Sequence, residues 1–308
     1  MRHGPARLLW AALHKHLLYI AERGAQFLMA IGVFDSGVGG LSIHRALTRR
    51  LPAADFIYFS DQAHMPYGPR SGEEIVRLTR AACERLFADG CELIILACNT
   101  ASAVALRQLQ KDWLPRLRVQ RTRPANILGI IVPTIEVVTG RPWRPPHPQG
   151  SGPRRPVGVF ATQATVRSAV YEIEIAKRSE DLAAISEPCR GLAALIEEGA
   201  DEAQLSAVIA DHVAALVAAA GGAPEQVILG CTHYEVCADL FRRALPPATA
   251  LIQQPRATAD SLVAYLGRHP EFRTGSAGTR RFLTTGRPGM QHQLVEKLWG
   301  EPLSFEAA

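Results

Sequence analysis

Two segments of the chain end alike. Leu93-Ile94-Ile95-Leu96-Ala97-Cys98-Asn99-Thr100 and Gln226-Val227-Ile228-Leu229-Gly230-Cys231-Thr232-His233 are each an apolar run, a small residue, a cysteine and two polar residues. A run of Ile, Leu and Val reads as a buried parallel strand, and in open α/β sheets ligands bind beyond the carboxyl ends of the strands. Each thiol therefore stands where chemistry is done. A free thiol has a pKa of about 8.5, which falls near a helix N-terminus or a cation. The residues after both cysteines lead into helical patterns, whose first N–H groups also favour a carboxylate. A thiolate on one face of a carbon can remove a proton while a thiol on the other face delivers one. That inverts a stereocentre, and it needs an acid and a base of similar type that exchange roles in the reverse direction.

Other chemistries explain less. Zinc sites want tight ligand pairs. Cys231, His233 and Cys237 are close in sequence, but Cys-x-His at a strand end points its two side chains to different sides, and no second pair completes four ligands. No metal is expected. A cysteine hydrolase, with His233 activating Cys231, leaves Cys98 without a role. Asp35-Ser36-Gly37-Val38-Gly39-Gly40 only approximates the G-x-G-x-x-G fingerprint of dinucleotide sites, and Asp55 begins its strand rather than ending it. The segment reads instead as a strand-to-helix turn that turns Asp35 and Ser36 toward a cleft. Pro66-Tyr67-Gly68, shortly after a strand over 55–60, reads as a loop that could offer backbone N–H groups and a tyrosine to the same place. Of the remaining cysteines, Cys83 and Cys91 fall in or beside apolar segments and read as buried small hydrophobes. A disulfide framework is not expected in a chain of this size without a secretory signal, and the cytoplasm is the expected compartment.

The elements that must carry these residues alternate. Strands are predicted over 31–34, 55–60, 92–97, 127–132, 157–161, 226–229, 249–252 and 281–284. Helices are predicted at about 40–51, 72–88, 100–112, 165–176, 190–198, 202–220, 235–244, 256–267 and 289–299. Alternation of this kind argues for parallel sheets in an α/β protein. Ser71 is a natural N-cap for the helix over 72–88, with Glu73 and Glu74 in its first turn. Gly32-Val33-Phe34 opens the first half and Gly158-Val159-Phe160 the second, each followed at a similar remove by its cysteine-tipped strand. That pattern favours two copies of one α/β unit.

With 308 residues and 47% hydrophobic content, the chain has room for two domains. No run of 18 apolar residues argues for a transmembrane helix. The net charge of +5 is concentrated in residues 2–23 and 141–155, and aromatics make up only 6%. A nucleic-acid groove needs basic residues interleaved with aromatics, so none is expected. Residues 141–155, rich in Pro, Gly and Arg, read as an exposed mobile loop. Residues 1–28 read as a non-core N-terminal extension, a poor match to a signal peptide. We expect translation to start at Met29, and an intact mass that retains residues 1–28 would refute this.

Taken together, Val33-Phe34-Asp35-Ser36-Gly37-Val38-Gly39-Gly40-Leu41, Pro66-Tyr67-Gly68, Ala97-Cys98-Asn99-Thr100-Ala101, Leu229-Gly230-Cys231-Thr232-His233-Tyr234 and Phe282-Leu283-Thr284-Thr285-Gly286 resemble, in order, the motifs of the bacterial glutamate racemases of the aspartate/glutamate racemase family. The resemblance implies two pseudosymmetric α/β lobes, each a mostly parallel sheet flanked by helices, with the active site between them. Residues 29–123 plus 248–300 would form the first lobe and 124–247 the second, the last segment returning to the first. It implies cofactor-independent interconversion of L- and D-glutamate, supplying D-glutamate for peptidoglycan. Cys98 and Cys231 would be the acid/base pair, assisted by Asp35 and His233. Asp35, Ser36, Pro66, Tyr67, Gly68, Asn99, Thr100, Thr162, Thr165, Glu197, Thr232 and His233 would line the substrate, with Glu197 in support. Glutamate is the expected small-molecule partner, in a homodimer without nucleic-acid or membrane partners. The rivals are a racemase of aspartate or a similar acid, and a non-catalytic binding paralogue. The chain departs from the family at Cys189-Arg190-Gly191, at Ser60, at Gln253-Gln254 and in the length of the 141–155 loop.

Overall fold

The computed structural model describes residues 30–141, 153–272, 277–288 and 292–308. Its strands are β1 (Ile31–Asp35), β2 (Phe56–Ser60), β3 (Leu93–Leu96), β4 (Asn126–Gly129), β5 (Arg155–Ala161), β6 (Leu182–Pro188), β7 (Gln226–Gly230), β8 (Ala250–Ile252), β9 (Arg280–Thr284) and β10 (Glu306–Ala307). They form a six-stranded sheet ordered β10-β9-β2-β1-β3-β4 and a four-stranded sheet ordered β6-β5-β7-β8. Every pairing is parallel. Parallel strands are buried on both faces by the helices that connect them, which is why β1, β2 and β3 are buried along their whole length. The connecting helix Gly72–Ala88 starts where expected, with the Ser71 hydroxyl accepting from Glu74 N at 3.2 Å.

The expected duplication is visible in order and in register. Leaving β9 and β10 aside, each sheet runs second strand, first, third, fourth. Gly32 pairs with Ile94 and Gly158 with Val227, so each cysteine follows its glycine's partner by the same interval. The two glycines also do the same work. A Cβ on Gly32 would lie 3.1 Å from Leu86 of the helix Gly72–Ala88, and one on Gly158 would lie 2.6 Å from Leu216 of the helix Glu202–Ala219. In both halves the first strand gives up its side chain so that a helix can close over it. The second of these helices is long and apolar enough to span a membrane by length and composition. Here its Ile209, Val213 and Leu216 are buried against the second sheet.

Several expectations are corrected. The strand expected over 127–132 ends at Gly129, and a helix starts at Ile131. An apolar run of that length does not distinguish strand from helix, and Gly129 lets Leu106 and Ser102 pack close beneath it. The second lobe was expected to begin at residue 124 and end at 247. Instead β4 pairs with β3 in the first sheet and β8 with β7 in the second, because fourth strands complete both halves of a repeat. Strand β6 was missed: Leu182-Ala183-Ala184-Ile185-Ser186-Glu187-Pro188 is an edge strand with little β-branched character. The helix expected over 165–176 is two, broken at Ala169, whose φ of 51° is left-handed. The one expected over 100–112 continues through further helical turns to Gln120. Residues 1–28, and most of 141–155, lie outside the described residues, while Arg155 already belongs to β5.

The final segment returns to the first lobe. β9 pairs with β2, and the helix His292–Trp299 packs on the helix Leu41–Arg50. There Trp299 stacks on His44 with ring centroids 5.1 Å apart. Burial among these rings pushes His44 down to about 3, so it stays neutral and acts as an aromatic.

Candidate active site

In a sheet ordered second-first-third, the chain leaves β1 to one side and returns to the other, which opens a crevice at the carboxyl ends of β1 and β3. Asp35 and Ser36 leave β1 at that point, and Cys98 leaves β3. The second sheet repeats the arrangement with Thr162 after β5 and Cys231 after β7. The two crevices face each other, and their residues interlock. Thr100 Oγ1 and Thr162 Oγ1 share a hydrogen bond of 2.9 Å across the lobes, and Thr162 a second with Thr165 Oγ1 at 3.1 Å. Ala164 N donates to Gly68 O at 3.2 Å. Tyr171 OH donates to Asn99 Oδ1 at 2.9 Å.

Each thiol has its own partners. Cys98 caps the helix that follows it, its sulfur 3.5 Å from Ala101 N, and it shares a contact of 3.4 Å with Ser36 Oγ. Asp35 is fully buried; its Oδ2 accepts from Gly40 N at 2.7 Å, and no hydrogen bond within the described residues reaches Oδ1. Burial, then the neighbouring Asp35 charge, push the Cys98 thiol up to about 12. Burial also raises the Asp35 carboxyl, against the opposing pull of His233 and of N–H donors. Burial and the Asp35 charge both favour the protonated thiol at Cys98. Cys231 sits 3.9 Å from His233 Nδ1, and His233 Nε2 hydrogen-bonds Glu197. Burial alone would depress His233, but the Cys231 sulfur and the Glu197 carboxylate outweigh it and hold the imidazole charged well above its ordinary range. The second lobe therefore sets its thiol beside a charged imidazole.

The glycine-rich turn brings these two sets together. A Cβ on Gly39 would lie 2.6 Å from Thr232 Oγ1 and 2.8 Å from His233 Nδ1, and one on Gly37 would lie 3.1 Å from Glu197 Oε1. Neither glycine has a positive φ. They are required for closeness between the lobes, not for backbone freedom, which gives the turn a reason other than phosphate binding. The Tyr67 hydroxyl donates to Asp61 Oδ2 at 2.7 Å, so it is already engaged, and Pro66 is exposed. Among the described residues no group of three or more His, Cys, Asp or Glu could hold a metal. Sequence reasoning missed Tyr171 and Gln254, which bond Asn99, and Thr134, which bonds Gln254. Gln254 alone carried a signal, as a departure from the family pattern.

A family model described as Asp/Glu/Hydantoin racemase matches residues 40–262. The chain is 60% identical over 288 residues to the glutamate racemase of Phenylobacterium zucineum (strain HLK1), covering 91% of this chain and 100% of that one. It is 58% identical to the glutamate racemase of Caulobacter sp. (strain K31) over the same shares. The structure superposes on glutamate racemase from Francisella tularensis in complex with D-glutamate with a TM-score of 0.76 at 27% identity, covering 91% of this chain and 97% of that one. Likeness of this extent, on a fold whose two cysteines follow register-matched strands of its two sheets, makes the chain a member of the Asp/Glu/Hydantoin racemase family, among its glutamate racemases.

Proposed function

We propose that the protein interconverts L- and D-glutamate by moving the α-proton between two thiols, without a cofactor. The observation that carries this is the pairing of Cys98 and Cys231 at register-matched strand tips in opposing lobes, each with a separate set of partners. One sulfur, as thiolate, takes the α-proton from one face; the other, as thiol, returns a proton to the opposite face. The reverse reaction exchanges the roles. Asp35 and Ser36 serve Cys98, and Glu197 acts on Cys231 through His233. Ser36, Asn99, Thr100, Thr162, Thr165 and Thr232 offer neutral amide and hydroxyl groups suited to a zwitterion, whose carboxylate the helix starts after Cys98 and Thr162 would favour. The product D-glutamate would feed peptidoglycan synthesis in the cytoplasm, and we propose a homodimer as the working assembly.

Cys98→Ala and Cys231→Ala should each lower racemisation by about 10³-fold or more, as expected for loss of a positioned acid or base, while circular dichroism stays that of the folded protein. Either variant racemising at the wild-type rate would overturn the two-thiol reading. Rates on L-glutamate and L-aspartate side by side separate the substrate readings. Incorporation of solvent deuterium at the α-carbon separates an enzyme from a binding paralogue, which would give none.

A further inference from the structure

Gln254 is 1% exposed and is the first residue of the helix Gln254–Arg268, directly after the second sheet. Its amide and that of Asn99 bond reciprocally. Asn99 Nδ2 donates to Gln254 Oε1 at 2.6 Å, and Gln254 Nε2 donates to Asn99 Oδ1 at 3.1 Å. The second Nε2 hydrogen reaches Thr134 Oγ1 at 3.0 Å, while the Thr134 hydroxyl donates to Ile130 O. Tyr171 OH supplies the second bond to Asn99 Oδ1. On its other side, Gln254 N donates to Glu235 Oε1 at 3.2 Å. Gln253, at the N-cap, makes no side-chain cap, so this carboxylate takes over that part.

These partners come from places that matter. Asn99 follows Cys98, and Glu235 lies in the turn Thr232–Cys237 that follows Cys231. Thr134 is on the helix after β4, where the chain leaves the first sheet, and Gln254 is where it returns from the second. Both crossings between the lobes and both cysteine-bearing segments are thus tied to one residue. A buried amide with its bonds filled in one geometry is a stiff joint, and proton transfer between two faces of one carbon depends on how the two thiols are held relative to each other.

We propose that Gln254 is a positioning residue for racemisation, fixing Asn99 beside Cys98 and holding the Cys98 and Cys231 segments in register across the lobes. This rests on the two-thiol reading of the site. The test is Gln254→Met, of similar length but without the amide, compared with Asn99→Ala and with the double variant. Gln254→Met should fold with an unfolding midpoint near the wild type's and lose about 10–10²-fold in kcat, the scale of a small misplacement of reacting groups. The isotope effect with α-deuterated glutamate should rise, because the proton-transfer step becomes more limiting. A loss of folded enzyme would lower kcat and leave KM and the isotope effect unchanged. The double variant should be little worse than Asn99→Ala alone, since Gln254 acts through Asn99. Wild-type kinetics in Gln254→Met, an unchanged isotope effect, or losses that multiply in the double variant would each overturn the proposal. Should Gln254→Met not fold, Tyr171→Phe removes only the hydroxyl, with its bond to Asn99 Oδ1 and the one it accepts from Gln254 Nε2 at 3.3 Å. A smaller kcat loss with a raised isotope effect supports the proposal, and wild-type kinetics overturns it. An inactive wild type would instead count against the racemase reading.

Discussion

At the scale of the residue, the site combines groups the fold would be more stable without. Asp35 is buried, and the net effect of its surroundings is to raise its carboxyl above the ordinary 3.8. A carboxyl raised in the folded state favours folding when protonated and opposes it when ionised. The penalty is absent below the unfolded pKa and fully present above the folded one. Asp35→Asn keeps an oxygen to accept from Gly40 N and removes the charge. It should therefore raise the unfolding temperature at pH 7, and the gain should shrink as pH falls toward 3.8, while racemisation drops by about 10²-fold as an assisting group is lost. Thermal melts of both proteins across that pH range check this. A variant less stable than the wild type at pH 7, or a gain that does not depend on pH, would refute it.

At the scale of the element, the sequence exposes what is strongly patterned. The apolar runs of β1, β3, β5 and β7 and the cysteines at two of their tips are legible because buried parallel strands leave few other readings. Edge strands are harder to see: β6 has only β5 to pair with, and its Ser186, Glu187 and Pro188 carry no strand signal. The polar knot around Asn99 was not legible either, because its four members come from segments far apart in sequence and only Gln254 stands out, as a departure from the family pattern. The glycine turn lay between these cases. Its sequence reads as a strand-to-helix turn that only approximates a dinucleotide fingerprint, and the opposing Thr232 and His233 explain why it needs glycine. Because Gly39 has an ordinary φ, alanine is allowed there by the backbone, and the new methyl group must displace Thr232 or His233. Gly39→Ala should lose activity by about 10²-fold with the unfolding midpoint little changed. Gly267, exposed in the helix Gln254–Arg268 with nothing within 4 Å of a built Cβ, is the contrast. Gly267→Ala should gain about 0.5–1 kcal/mol of stability with activity unchanged. Activity assays and denaturant titrations on both variants distinguish closeness from backbone freedom as the reason for Gly39.

At the scale of the whole molecule, the duplication that sets two thiols at register-matched strand tips also buries them. Cys98 and Cys231 are only 4% and 5% exposed, so we expect glutamate to reach them when the lobes part. Beside apolar packing, polar bonds hold the lobes together near the thiols: the Thr100–Thr162 bond, the Ala164–Gly68 bond and the bonds around Asn99. A net hydrogen bond contributes about 0.5–1.5 kcal/mol, and about 1.4 kcal/mol is tenfold in an equilibrium. Thr162→Val keeps the shape and removes the link to Thr100, so the open population should rise by about 2–10-fold. Alkylation by iodoacetamide, followed by peptide mass mapping, reads that population at Cys98. The raised Cys98 pKa slows the reaction in both proteins alike, so their ratio at one pH isolates the opening. Labelling of Cys98 should speed up in Thr162→Val by that factor, while labelling of the buried Cys83, away from the cleft, stays at the wild-type rate. Equal rates at Cys98 would show that the lobes do not depend on this bond. Faster labelling at Cys83 as well would mean the substitution loosened the fold as a whole rather than the contact between its halves.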